Sequence, residues 1–147
     1  MVVKNRVSFF PLLLFIAFPL WPQDSRMEPY SFVGMNLAEL IGRFGPPRAV
    51  YAARGEESWQ DDVVFEYAQG DFYIYRDRVW QVGLASAYGI ALGDSKPAAL
   101  LVLGDRAEDR GNYMLLSLPS RGWPLMLRVN FTSAGLASAI FVYRPDF

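Results

Sequence analysis

The side chains that most resemble catalytic groups are carboxylates in adjacent pairs. Glu56 and Glu57 form one pair, and Asp61 and Asp62 form another. General acid–base chemistry on one substrate needs two carboxyl groups that face each other across it. Neighbouring residues of a strand point to opposite faces, so Asp61 and Asp62 would not converge on one substrate. We therefore interpret both pairs as solvated turns and predict no catalytic residue in them.

Two further candidates lie beyond the middle of the chain. The segment 105–109, DRAED, carries three carboxylates, but it lacks the oxygen-ligand spacing and the glycine of a calcium loop. Ser95 and Lys96 have the types needed for serine–lysine chemistry. They stand where a helix needs a cap, however, and adjacent side chains there do not face each other. The sequence therefore predicts neither a metal site nor an enzyme.

Composition excludes several classes of function. Cysteine and histidine are both absent from the 147 residues, which removes thiolate zinc sites, haem ligation by these residues, cysteine nucleophiles and histidine-based triads. We expect no cofactor. The formal net charge of −1 gives no electrostatic basis for binding nucleic acid. Because no disulfide can stabilise the fold, the 52% of hydrophobic residues must do so by burial.

The first residues have the composition of an export signal. Lys4 and Arg6 precede VSFFPLLLFIAFPLW, about fifteen uncharged residues, which are too few to span a ~30 Å hydrocarbon core comfortably but suit a signal h-region. We predict a signal peptide over 1–25, either cleaved or kept as an anchor, and a linker over 26–33. The domain that follows is expected to be periplasmic or secreted, with membrane contact only through an uncleaved signal.

Two stretches of the chain share the same glycine and apolar pattern. GMNLAELIGRFGPP begins at Gly34, and GDSKPAALLVLGDR begins at Gly93, fifty-nine residues later. Laid over each other without a gap, they agree at two glycines and at two apolar positions of helical spacing. Each stretch predicts a helix of about two turns that ends at a glycine, Gly45 in the first and Gly104 in the second. Helices this short are marginal alone in water, so each needs a surface to pack on.

Alternating apolar segments supply that surface. The predicted strands are 48–53, 62–68, 71–76 and 79–86 after the first helix, and 113–118, 124–131 and 136–144 after the second. We predict an α+β fold in which two tandem units, each a short helix plus an antiparallel meander, share one sheet with the helices on one face. The units are placed at 34–88 and 89–147, within one compact domain.

The glycine-ended helices carry a resemblance to a known family. GMNLAELIGRFGPPRAV resembles the SmpA/OmlA (BamE-like) outer-membrane-assembly lipoproteins, and GIALGDSKPAALLVLGDR resembles a degenerate second copy, with Asp105 where the first has Pro46. A tandem pair of such units is similar to the β-lactamase-inhibitor-protein-like fold, in which a sheet presents a concave face to a partner. The resemblance implies binding rather than catalysis. The chain lacks the lipoprotein family's cysteine, and no residue of the inhibitor's partner contacts can be matched to it.

Hairpin register divides the predicted sheet into two faces. We place two-residue turns at 69–70 and 77–78. One face, the better core, then holds Val63, Phe65, Tyr67, Phe72, Ile74 and Val79. The other face mixes aromatic and polar groups and holds Val64, Glu66, Tyr73, Tyr75, Trp80 and Val82. In the last hairpin Arg128 and Asn130 share a face, and Phe141 is grouped with Leu127 on the opposite one.

Three interpretations of the mixed face are open: an interface, a second core covered by another segment, or a small-molecule pocket. We favour an interface because tyrosine and tryptophan combine rigid apolar area with a hydrogen-bonding tip. The predicted partner-binding residues are Val64, Glu66, Tyr73, Tyr75, Trp80, Arg128 and Asn130. The expected function is an exported, non-catalytic binding or assembly module for an envelope or secreted protein. The alternative is an envelope carrier of a small apolar ligand or lipid.

Overall fold

The structure, a computed structural model, describes residues 31–54, 61–119 and 122–146. The predicted signal segment 1–25, most of the predicted linker and the pair Glu56–Glu57 lie outside the described residues. Among the residues described, neither helix has the length and apolar character needed to cross a membrane.

The described chain forms two α-helices and ten strands. The helices are α1 (Leu37–Phe44) and α2 (Lys96–Leu103), and a 3₁₀ turn follows α2 at Gly104–Arg106. The strands are β1 (Ala49–Ala53), β2 (Asp62–Tyr67), β3 (Gly70–Tyr75), β4 (Arg78–Leu84), β5 (Ser86–Ala87), β6 (Ile90–Ala91), β7 (Glu108–Asp109), β8 (Tyr113–Leu118), β9 (Leu125–Phe131) and β10 (Ala137–Tyr143).

Eight of the strands form one antiparallel sheet in the order β1-β2-β3-β4-β10-β9-β8-β7. Strands β5 and β6 pair separately as a small hairpin. The strands that follow α1 therefore form one half of the sheet, and those that follow α2 form the other half. The halves meet where β4 pairs with β10. The predicted α+β class with a large antiparallel sheet and two helices is confirmed.

The two helices begin and end in closely similar ways. Asn36 caps α1 through a capping box with Glu39, and Ser95 caps α2 by accepting a bond from the N–H of Ala98. Each helix ends at a glycine with positive φ, 76° at Gly45 and 64° at Gly104. Both boundaries of α2 lie fifty-nine residues after those of α1, the offset at which the two sequence stretches align.

One hydrophobic cluster lies between the helices and one face of the sheet. Leu40 of α1 and Leu103 of α2 are buried in this cluster together with Phe72 and Leu127 of the sheet. Both helices therefore pack on the same face, as predicted. The hydroxyl of Tyr67 donates a 3.0 Å hydrogen bond to the carbonyl of Gly45, which joins the end of α1 to the sheet.

The observed hairpin turns lie one residue earlier than predicted. Tyr67 pairs with Gly70 and Tyr75 pairs with Arg78, so the turns are 68–69 and 76–77. Moving a turn by one residue shifts the pairing of the two strands by two residues. Because side chains alternate between the faces with a period of two, each side chain stays on its predicted face. The register shifts again between Tyr73 and Ile74, where β4 contains one extra residue.

Val82 was predicted on the mixed face, and this prediction is wrong because the extra residue in β4 turns Val82 toward the core. Val82 pairs with Phe72 and is fully buried in the core cluster. The sequence prediction assumed regular alternation along β4, which a bulge interrupts. Phe141 was also placed on the wrong face, because it pairs with Arg128 rather than sharing the face of Leu127. A second register shift in β10 lies between Ala137 and Ala139.

Candidate interaction surface

The sheet face opposite the helices, called the outer face below, carries a cluster of aromatic rings. Tyr73 contacts Trp80 at a centroid distance of 6.4 Å and Phe141 at 6.1 Å, with interplanar angles of 73° and 81°. Edge-to-face geometry of this kind is favourable for aromatic pairs. Trp80 belongs to the first half of the sheet and Phe141 to the second. The cluster therefore lies across the junction of the two halves.

Val64 lies beneath the aromatic surface. It is fully buried, with 0% exposure, yet it is absent from the core cluster on the helix side. Its cross-strand neighbours on the outer face are Tyr51 and Tyr73. The rings of Tyr51 and Tyr73 therefore flank Val64 on the outer face, and Val64 packs beneath them. Sequence reasoning placed Val64 on this face but did not include Tyr51, although alternation along β1 would have paired the two.

Tyrosines at the periphery of this face are more exposed than the central rings. Tyr51 is 42% exposed and Tyr75 is 40% exposed, whereas Tyr73 and Trp80 are half-buried. The guanidinium of Arg76 lies 5.2 Å from the ring centroid of Tyr75. The outer face thus combines a packed aromatic centre with accessible tyrosines at its margin.

Trp80 is oriented by a hydrogen bond to Asp62. Its Nε1–H donates to Oδ1 of Asp62 at 3.0 Å. Burial raises the pKa of the Asp62 carboxyl, the hydrogen bond from Trp80 acts in the opposite direction, and the neighbouring Asp61 raises it further. Asp61 itself forms a 2.9 Å ion pair with Arg54. The two adjacent aspartates therefore have different partners.

Carboxylates are concentrated on the first half of the outer face. Glu66 of β2 lies directly opposite Asp71 of β3, and like charges in such a cross-strand pair repel each other. Partial burial, together with the charge and hydrogen bonding of Asp71, raises the pKa of Tyr51 to about 12. The Tyr51 hydroxyl accordingly remains protonated at physiological pH, as a donor beside a carboxylate.

Positive charge lies on the second half of the same face. The guanidinium of Arg128 lies 4.3 Å from the ring centroid of Tyr113 and donates a 2.7 Å hydrogen bond from Nε to Oδ1 of Asn130. The predicted residues Arg128 and Asn130 are therefore in contact. Glu66, Tyr73, Tyr75 and Trp80 lie on the other half of the face. A partner that touches the whole set would cross the junction between β4 and β10.

A shallow depression of about 330 Å³ opens on the outer face at this junction. Tyr73 and Phe141 form part of its wall, and Gly70 and Gly83 contribute no side chain to it. A Cβ atom at Gly83 would lie 3.4 Å from the Phe141 ring. Glycine at this position therefore keeps the depression open beside the aromatic cluster.

The other chemical candidates have structural partners. Ser95 caps α2, and Nζ of Lys96 contacts Asp109 Oδ1 and the Gly111 carbonyl, both at 2.7 Å. The hydrogen bonds from Lys96 and from the Gly111 N–H lower the pKa of Asp109. In the part of the chain that the structure describes, no group of three or more acidic, cysteine or histidine side chains is arranged to hold a metal ion.

Comparison with known proteins gives a fold relationship alone. No protein-family model matches the chain, and no curated protein matches it. Among solved structures, an extracellular protein containing a SCP domain from Bacillus anthracis str. Ames is similar, with a TM-score of 0.51 and 12% sequence identity. The similarity covers 99% of this chain and 51% of that protein, so this chain spans about half the length of the similar protein.

Proposed function

We propose that this chain is an exported, non-catalytic module that binds a partner protein through the outer face of its sheet. The partner is an envelope or secreted protein. The observation that carries this proposal is the ring cluster of Tyr73, Trp80 and Phe141, which no described helix covers. An uncovered apolar patch on a folded domain commonly marks an interaction site.

The chemistry of the outer face supports a protein partner. Tyrosine and tryptophan are enriched among residues that dominate binding energy, because they bury large area at low conformational cost. The face also has carboxylates at Glu66 and Asp71 and a guanidinium at Arg128, which can select the orientation of a partner. The depression beside Phe141 has room for one anchoring side chain of that partner.

The proposal includes a tandem architecture, with units at 34–88 and 89–147. Both helices have the same length, the same glycine end and the same spacing along the chain. Each unit alone has too small a core for independent stability, and pairing β4 with β10 makes one continuous outer face. The predicted signal at 1–25 supports export. The structurally similar protein is described as extracellular, which is compatible with export of this chain.

Site-directed photo-crosslinking in intact cells tests the outer face. A photoreactive amino acid is introduced at Tyr75, on the outer face, and separately at Leu101, which is 86% exposed on α2. We expect a discrete adduct from the Tyr75 position and none from the Leu101 position. Adding Trp80→Ala should reduce the Tyr75 adduct at least about tenfold, as for loss of a hot-spot aromatic.

A stability measurement separates binding from folding in this test. Urea denaturation of Trp80→Ala should show a loss of less than about 2 kcal/mol, because the ring is only half-buried. A loss of about 3–5 kcal/mol, typical of a fully buried aromatic, would show that Trp80 is a core residue. An adduct from Leu101 and none from Tyr75 would place the interface on the helix layer instead.

A carrier of a small apolar ligand or lipid is the second candidate. It is favoured by the depression of about 330 Å³, whose wall includes Tyr73, Leu84 and Phe141. Cavities of roughly this volume suit small ligands. Native mass spectrometry of the chain purified from its host distinguishes the two functions. A bound mass that is lost in Gly83→Leu, which fills the depression, would favour the carrier over the protein-binding module.

A further inference from the structure

The two edges of the large sheet differ sharply in their protection. One edge is β7, which has only two residues, Glu108 and Asp109. Both are charged, and both form ion pairs, Glu108 with Arg110 and Asp109 with Lys96. A short, charged edge strand is a common way to prevent another chain from adding to a sheet.

The opposite edge, β1, has none of these protective features. Its sequence AVYAA contains no charge and no proline, and it pairs with β2 over its whole length without a register shift. Val50 is 56% exposed and Tyr51 is 42% exposed. An edge strand presents alternate backbone N–H and C=O groups outward, where a further strand can bond to them.

Side chains on the helix side of β1 extend the apolar surface. Val50 lies opposite Phe65, and Ala52 lies opposite Val63, which is 48% exposed. These residues lie on the core face of the sheet, yet Val50 and Val63 remain accessible. A strand added beside β1 would place alternate apolar side chains next to Val50 and cover this surface.

Arginines at both ends of β1 indicate the charge of the added strand. Arg48 immediately precedes β1 and Arg54 immediately follows it. The Arg54 side chain is 79% exposed although it contacts Asp61. A second copy of β1, paired antiparallel about Tyr51, would bring Arg48 of each copy opposite Arg54 of the other. Carboxylates at the ends of a foreign strand would instead be attracted to both arginines.

We propose that β1 binds an extended segment of a partner protein by strand addition, and that this segment has an apolar centre flanked by acidic residues. Backbone hydrogen bonds to β1 supply affinity, contacts with Val50 and Tyr51 select apolar side chains, and the two arginines select the acidic flanks. This surface is the sheet edge, separate from the aromatic cluster. The edge shares Tyr51 with the outer face, but strand addition uses the backbone of β1 and does not need the cluster of Tyr73, Trp80 and Phe141, so either kind of binding can be lost without the other.

Two synthetic peptides test the proposal on the full-length, ¹⁵N-labelled chain. The first, Asp-Thr-Val-Val-Val-Thr-Asp, places valines beside Val50 and Tyr51 when its aspartates lie beside Arg48 and Arg54, and the second carries lysine in place of both aspartates. We expect the acidic peptide to bind at least about tenfold more tightly and to slow hydrogen exchange of the outward amides of 49–53. Amides of β7, at the charged edge, should exchange at an unchanged rate and serve as the internal control.

Two variants separate strand addition from other binding. Val50→Asn removes the apolar side chain from the edge without adding a charge and should weaken binding of the acidic peptide about tenfold, while the Tyr75 photo-adduct persists. Arg48→Glu should reverse or abolish the preference for the acidic peptide over the lysine peptide. Equal binding of both peptides to the unaltered chain, or no protection at 49–53, would overturn the proposal. Outward amides of β1 that are already protected in the free chain would also overturn it, because another segment or copy would then occupy the edge.

Discussion

Trp80 depends on an irregularity of its own strand. The extra residue in β4 lets Ile74 pair with Val79 and Tyr73 pair with Gln81, so Trp80 has no direct cross-strand partner of its own on β3. A bulge of this kind redirects the local side chain and increases strand twist. The hydrogen bond to Asp62 then orients the indole ring toward Tyr73. The arrangement of the aromatic rings on the outer face therefore depends on the hydrogen bond between Trp80 and Asp62 as well as on the alternation of side chains along the strands.

The carboxyl of Asp62 gives this pair a measurable pH dependence. Burial raises its pKa in the folded protein, so the folded state holds this proton more strongly than the unfolded chain does. This contribution to stability is present below the unfolded pKa of about 3.9 and is lost as pH rises through the higher folded value. We predict that Asp62→Asn, which keeps an acceptor for Trp80, raises the melting temperature slightly at pH 7.

Thermal melts across pH check this prediction. The difference between Asp62→Asn and the parent chain should be about one or two degrees at pH 7 and should shrink toward zero below about pH 4, where both side chains are neutral. Asp105→Asn, which also removes one carboxylate but from the exposed 3₁₀ turn, is the matched control for the loss of one negative charge. A difference that grows toward low pH would contradict the assignment of a raised pKa to Asp62.

The residues of the outer face could be predicted only in part. Alternation places Val64, Tyr73 and Tyr75 on one face, since a turn shifted by one residue changes register without changing faces. Phe141 could not be placed, because a bulge leaves no simple mark in a run of apolar residues. The full burial of Val64 could not be predicted from the sequence either, because it depends on how the neighbouring aromatic rings pack over it.

At the scale of elements, the two helices differ in how firmly they are capped. In α1 the Glu39 N–H donates to Asn36 Oδ1 at 2.8 Å, and the Asn36 N–H donates to Glu39 Oε2 at 2.9 Å. In α2 the single side-chain cap, from the Ala98 N–H to Ser95 Oγ, is longer, at 3.4 Å. The first helix therefore depends more on its cap, because each satisfied N–H offsets the cost of beginning a short helix.

Alanine substitutions at the two caps compare these helices directly. We predict that Asn36→Ala lowers the free energy of unfolding by about 1 kcal/mol or more, since it removes the capping box. Ser95→Ala should cost about half as much or less, because its hydrogen bond is longer and Pro97 already favours the first turn of α2. Urea denaturation at one pH measures both. Equal losses, or a larger loss for Ser95→Ala, would contradict the difference in capping.

Long periodic elements were predictable from sequence, whereas short ones were not. Apolar spacing followed by glycine correctly predicted both α-helices, and alternation predicted the seven longer strands to within one or two residues. The hairpin β5–β6 and the strand β7 were missed, because two residues carry no usable periodicity. The charged segment 105–109, for which the sequence predicted no regular element, includes the end of the 3₁₀ turn and all of β7.

At the scale of the whole molecule, the pairing of β4 with β10 makes the halves interdependent. Ile140 of β10 lies opposite Leu84 of β4 and Val129 of β9, and only 1% of it is exposed. The aromatic cluster crosses the same junction on the other face, through Tyr73 and Phe141. Because both sides of the junction are packed, neither half can lose its structure without exposing apolar surface of the other.

Ile140→Ala tests whether the two halves unfold as one unit. Truncation of a buried isoleucine should cost about 2–4 kcal/mol. If unfolding is cooperative, hydrogen exchange of the slowest amides in β2 and in β8 should accelerate together, by between about thirtyfold and a thousandfold. Leu101→Ala on the exposed side of α2 is the control and should alter neither. Faster hydrogen exchange confined to β8 and β9 would show that the first half of the sheet folds independently of the second. The outer face would then consist of two separate surfaces that only the chain connects.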